Sequence, residues 1–214
     1  MENIQNFSKK EELFNSISHG VGTLYAITAL VLLSVFSGLT GDAWKIVGAV
    51  IYGISLIALF LASTLYHGFR PGKAKNIFEI MDHSAIFILI AGTYTPFTLV
   101  NLRGWLGWTI FGIVWGLTIV GIIYKIFFVK KFVIFSTLLY ILMGWLIVFA
   151  IGPLSETLSS GGLFWLVLGG ILYTAGTPFY IIRKIPYHHA IWHLFVLAGS
   201  IAHFITVFFY IILA

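Results

Sequence analysis

Charged residues divide the chain into long apolar runs. Residues 13–41, 46–69, 83–102, 104–124, 132–155, 157–182 and 185–214 contain no Asp, Glu, Lys or Arg. Each run is at least 20 residues long, and about 20 helical residues cross a hydrocarbon core roughly 30 Å thick. The pattern therefore predicts an all-α integral membrane protein, a seven-transmembrane-helix bundle. A short polar segment over residues 1–18 precedes a single membrane domain over 19–214. The connections between runs are too short for a further domain. No period-two alternation, the mark of a transmembrane barrel strand, is present.

The placement of bases orients the bundle. Lys9 and Lys10 precede the first run. Arg70, Lys73 and Lys75 follow the second, Lys125, Lys130 and Lys131 the fourth, and Arg183 and Lys184 the sixth. These are ten of the twelve Lys and Arg; Lys45 and Arg103 fall on the other side. The positive-inside rule then predicts a cytoplasmic N-terminus and an outer C-terminus. Trp44, Trp105, Trp108 and Trp165 fall at the predicted outer interface, where an aromatic belt is expected. The Gly112/Gly116 pair and Gly169–Gly170 read as close helix packing. Pro96 and Pro178 are expected to interrupt the third and sixth helices.

Composition agrees with the pattern. The chain is 60% hydrophobic and 9% charged, whereas a soluble domain carries roughly 25% charged residues. An ordinary soluble enzyme, a nucleic-acid-binding domain and a disordered chain are excluded. Residues 1–18 are polar and of mixed charge, unlike the start of a cleaved signal peptide. With no cysteine, thiolate chemistry and Cys-based metal sites are ruled out. A retinal Schiff base is ruled out too, because residues 185–214 lack a lysine.

Seven histidines among so few charges direct attention to a metal. Ionisable groups inside spans are costly and mark sites. Ser63 and His67 close the second predicted helix, Asp82 and His83 open the third, and His188, His189 and His193 open the seventh. The topology brings all three ends to one depth in the inner leaflet. His189 and His193 are four residues apart, about 6 Å along one helix face, the spacing at which two imidazoles share one Zn²⁺. His188 points about 140° away from His193. His67 is the candidate third ligand, which leaves a fourth tetrahedral position for water, as in catalytic zinc sites. Asp82 is placed to hold or deprotonate that water, with Ser63 as a hydrogen-bond partner. Glu12, Asn15 and His19, at the inner end of the first helix, are candidates to support the ligands; an interfacial position for His19 fits equally well. His203, about 15 Å beyond His193, suits packing or a lipid cavity, and His83 has no assignment. A polar network pinning three helix ends would account for the same residues without a metal.

The ordered set Glu12, Asn15 and His19, then Ser63 and His67, then Met81-Asp82-His83-Ser84, then His189 and His193 resembles the hemolysin III branch of the progestin and adipoQ receptor (PAQR) family. The likeness runs from about Glu11 to the C-terminus. The runs from Glu11 to His19 and from Ala91 to Pro96 are similar to bacterial members in particular. The resemblance implies seven helices with a cytoplasmic N-terminus, opposite to G-protein-coupled receptors. It implies zinc on His67, His189 and His193 with Asp82 near the water, in a bacterial plasma membrane. It also links the chain to membrane hydrolases that include alkaline ceramidases. The N-terminal region is short beside that of the receptor members, which argues against hormone reception.

Two functional expectations follow. One is a zinc-dependent hydrolase of lipid amide or ester bonds, with membrane lipids as its partners and neither nucleic acid nor a soluble protein implied. The other is a non-enzymatic protein, either a cytolytic pore-former or a sensor of membrane lipid state with structural zinc. A pore should show polar stripes through several spans, and the outer halves of these runs are apolar.

Overall fold

In a computed structural model, residues 7–182 and 184–214 are described; Arg183, one of the bases used for orientation, and residues 1–6 of the N-terminal segment lie outside them. Among the described residues, seven helices are long and apolar enough to span a membrane: α1 (Lys9–Thr40), α2 (Ala43–Gly68), α3 (Lys73–Asn101), α4 (Trp105–Phe128), α5 (Val133–Thr157), α6 (Ser160–Ile181) and α7 (His188–Ile212). No strand occurs among the described residues.

Local chemistry sets the helix ends. α1 begins earlier than its apolar run because Ser8 and Glu11 form a capping box. The Ser8 hydroxyl accepts from the Glu11 amide at 3.3 Å, and the Ser8 amide donates to Glu11 Oε2 at 2.9 Å. Half of the polar segment is thereby helical, which carries Glu12 and Asn15 onto the face that meets the bundle. Gly41 ends α1 with φ 69°, a left-handed conformation natural to glycine. The Asp42 carboxylate then accepts from the Trp44 and Lys45 amides and starts α2.

α3 is the most enclosed helix, followed by α2 and α7. These three carry the polar motifs, whereas the other four helices turn most of their apolar surface outward. α2 lies between α1 and α3, and α7 packs against α6 and α1. The α2–α3 approach is close at Gly48, where a Cβ would stand 2.9 Å from Pro96 Cα. Beyond Pro96 the helix continues as a π turn over Phe97–Asn101, as the lost proline N–H permits. Pro178, by contrast, sits in the last turn of α6 and does not break it.

The break that sequence reasoning missed is in α5. The helix stops at Gly144, runs as a 3₁₀ turn over Leu146–Ala150 and resumes at Ile151. Tyr94 of α3 fills the gap: its hydroxyl lies 2.9 Å and 3.0 Å from the Met143 and Gly144 carbonyls and accepts from the Ile147 amide at 2.8 Å. No polar residue in α5 marks this site; the polar partner comes from another helix. Tyr94→Phe is therefore expected to strand buried backbone groups in a medium that cannot hydrate them. A loss of about 1–3 kcal/mol is expected, read as a lower unfolding temperature in detergent.

The glycine pairs divide. Gly169 lies against His203, and Gly170 against Trp145. Gly112 and Gly116, expected to pack against a neighbour, face open space on α4. The spacing identifies a smooth helix face but does not say that a helix of the same chain covers it.

Candidate metal centre

His67 and two of the four histidines of α7, His189 and His193, meet at the bundle end where most of the bases lie. His67, His189 and His193 are each buried, and each offers a nitrogen within 4.8 Å of the others'. The ring centroids lie 5.0 Å (His67–His189), 5.2 Å (His67–His193) and 4.6 Å (His189–His193) apart. The i, i+4 spacing on α7 provides two of these rings, and the last turn of α2 provides the third.

Hydrogen bonds fix which nitrogens are free. The Glu12 carboxylate can only accept, so His67 Nδ1 donates to Glu12 Oε2 at 2.6 Å. The other Glu12 oxygen is held by Lys75 Nζ at 2.8 Å. Asn15 Nδ2 lies 3.5 Å from the same His67 nitrogen. His193 Nδ1 donates to the Asn15 carbonyl at 3.2 Å and lies 3.0 Å from Ser18 Oγ. In both rings Nε2 is then a bare lone pair. His67 Nε2 and both nitrogens of His189 are buried without a protein partner.

His67 and His189 thus offer buried nitrogens without a protein partner, and the three rings each bring one nitrogen within 4.8 Å of the others'. Unsatisfied buried acceptors are costly, and a cation held among the three rings satisfies them. A histidine that gives its second N–H to a carboxylate or carbonyl is the usual arrangement behind a metal ligand. The donor set therefore fits a metal such as zinc.

The remaining predicted residues surround this point. Asp82 does not open its helix as expected: α3 begins at Lys73, so Asp82 lies nine residues inside it, buried beside Ser63 of α2, and both line a cavity with His189 and His193. Asp82 is not one of the three converging ligands. His19 is 3% exposed, so it is buried rather than interfacial. Its ring stacks on His193 with centroids 3.5 Å apart and 15° between planes, which braces that ligand. His188 turns away, its Nδ1 2.8 Å from the Phe179 carbonyl. His83 Nδ1 donates to the Glu79 carbonyl at 2.8 Å while the ring lines the cavity.

Sequence reasoning missed Lys125. Its position after an apolar run reads as a loop base, yet it lies inside α4, fully buried, with Nζ donating to Ser136 Oγ at 2.9 Å. The available signal was the apolar run from Ile126 to Val129 that follows it, which extends the helix past the charge. Ser18, behind His193, carried no signal in the pattern.

The cavity holds about 120 Å³. It leads from Asp82, Ser63 and the α7 histidines between apolar walls to Tyr94, Trp145 and His203 deeper in the bundle.

A seven-helix membrane protein with a buried three-histidine centre at one end of the bundle is the class that the fold and site define. The profile of the family described as "Haemolysin-III related" matches residues 7–204. The chain is 55% identical over 204 residues to "Hemolysin-3 homolog" of Bacillus subtilis (strain 168), covering 95% of this chain and 96% of that one. It is 51% identical to "Hemolysin-3" of Bacillus cereus, covering 95% and 93%. It is 29% identical over 207 residues to "Monocyte to macrophage differentiation factor" of Homo sapiens, covering 94% and 84%. No solved structure matches. The chain belongs to the haemolysin-III-related family, and its seven apolar helices and Bacillus relatives make it a multi-pass protein of the bacterial cell membrane.

Proposed function

We propose that this protein is a zinc-dependent hydrolase of membrane lipid amide or ester bonds, with its site in the cytoplasmic leaflet. The observation that carries the reading is the convergence of three buried histidines, His67, His189 and His193, beside Asp82 and Ser63 at the head of a largely apolar cavity. His67, His189 and His193 would hold the ion. Zinc bound there supplies Lewis acidity, which polarises a carbonyl and makes water nucleophilic near neutral pH.

The rest is done by the chain. Glu12, held by Lys75, keeps His67 in the tautomer that offers Nε2, and Asn15 does the same for His193. Asp82 takes the proton of the attacking water and passes it to the leaving nitrogen or oxygen, so that amide and water become acid and amine, or ester and water become acid and alcohol. The Ser63 hydroxyl orients the carboxyl of Asp82 and the substrate carbonyl. The apolar walls hold an acyl chain and keep bulk water out. The positive-inside bias of the bases supports the cytoplasmic placement.

The test separates binding from turnover. Asp82→Ala protein is expected to retain its zinc, while cells expressing it accumulate a lipid that the wild type consumes, as read by lipid mass spectrometry. Zinc-loaded wild-type and Asp82→Ala cells with identical lipid profiles would refute catalysis and leave a structural metal.

A further inference from the structure

The far end of the cavity has chemistry of its own. His203 lies ten residues beyond His193 on α7, about 15 Å deeper along the helix. That is half of a hydrocarbon core about 30 Å thick, the depth reached by one lipid chain. His203 is 8% exposed. Its Nε2 lies 3.0 Å from the Leu166 carbonyl. A carbonyl only accepts, so Nε2 carries the proton and Nδ1 is a bare acceptor. This Nδ1 is buried and has no partner in the protein.

The ring is held in place on purpose-built packing. Any Cβ at Gly169 would overlap its Cδ2 and Nε2, so α6 approaches that edge because residue 169 is glycine. The Tyr173 ring lies 5.4 Å away. The Cδ2–Nε2 edge thus lies against α6, while the ring lines the cavity and its Nδ1 is unpartnered. His203 lines the main cavity and also a second one of about 60 Å³, and the two share Thr93, Tyr94, Gly144, Trp145, Gly170 and His203. The junction thus combines an unpartnered acceptor with walls whose other polar groups, the Thr93 and Tyr94 hydroxyls and the Trp145 N–H, are already hydrogen-bonded within the protein.

We infer that this junction is a second polar subsite, in which His203 Nδ1 accepts a hydrogen bond from a hydroxyl on the chain of a lipid whose polar head reaches the histidine triad. The inference rests on the lipid reading of the cavity given above and adds a specificity to it. An unsubstituted chain fills the same space but leaves the acceptor unmet, whereas a hydroxyl at the right depth satisfies it. A hydroxyl facing the leucine and isoleucine stretches of the wall is disfavoured.

The test uses the purified full chain, zinc-loaded, in lipid nanodiscs. Stearic acid and a positional series of hydroxystearic acids compete with a fluorescent fatty acid. A narrow set of hydroxyl positions is expected to bind about five- to tenfold tighter than stearic acid, the size of one net hydrogen bond. His203→Phe, which keeps a ring and removes the acceptor, is expected to bind stearic acid as before and lose the positional preference. A flat series in the wild type, as a resident water on Nδ1 would produce, overturns the subsite. So does a preference that survives in His203→Phe. The wild-type series decides the matter even if that variant fails to fold. Failure of stearic acid itself to compete would instead strike the lipid reading, so the two failures are distinguishable.

Discussion

Purified His193→Ala protein is expected to contain almost no zinc, against about one ion per chain in the wild type. Removing one of three converging ligands leaves two imidazoles and no closed set. The effect should be graded by role. Glu12→Gln keeps all three ligand nitrogens but replaces the carboxylate that holds His67 at 2.6 Å. Loss of such a partner weakens metal binding by roughly 10–100-fold. His188→Ala should bind zinc as the wild type does, because its ring is engaged with the Phe179 carbonyl. Metal analysis after dialysis against graded chelator reads all three. Equal zinc in wild type and His193→Ala would place the metal elsewhere and remove the basis of the hydrolase.

The second large effect concerns charge. Among the described residues, Asp82 and Lys125 are the buried members of the Asp, Glu, Lys and Arg set. They carry opposite signs but form no direct ion pair; Lys125 Nζ is bonded to Ser136 Oγ instead. A lone buried charge is expensive, and coupling between neighbouring buried groups runs to about 0.5–3 kcal/mol. Lys125→Met is therefore expected to lower stability by about 1–3 kcal/mol in detergent, and Asp82→Asn by a comparable amount. The double variant should recover most of the loss, since neither charge is then stranded. Losses that simply add would show that the two groups do not compensate each other.

The architecture was legible from the sequence because a bilayer imposes a strong rule. A span needs an apolar run of a certain length, and loops must carry the charge. All seven helices follow from that rule. The triad was legible because four-residue spacing is a geometric statement about one helix face. Asp82 and Ser63 were placed beside it by topology. Lys125 was misread because a loop lysine and a lysine one turn inside the helix end look alike in a charge pattern. The α5 break was invisible because Gly144 and Trp145 are ordinary in a membrane helix, and the hydroxyl that satisfies the break belongs to Tyr94. Gly112 and Gly116 show the converse: spacing describes a face and not its occupant.

The bonds behind the triad have a consequence for biogenesis. Glu12 reaches His67 across 55 positions, and Asn15 reaches His193 across 178. The centre thus ties the first helix made to the last. While the ribosome is still delivering α7, two of the three ligands do not yet exist in the membrane, and α1 has nothing to clasp there. A metal held by the three histidines would be captured only after the final insertion, and by mass action it would favour the completed bundle. Such an ion would act as a clasp on a ring, closed only once the last helix has arrived.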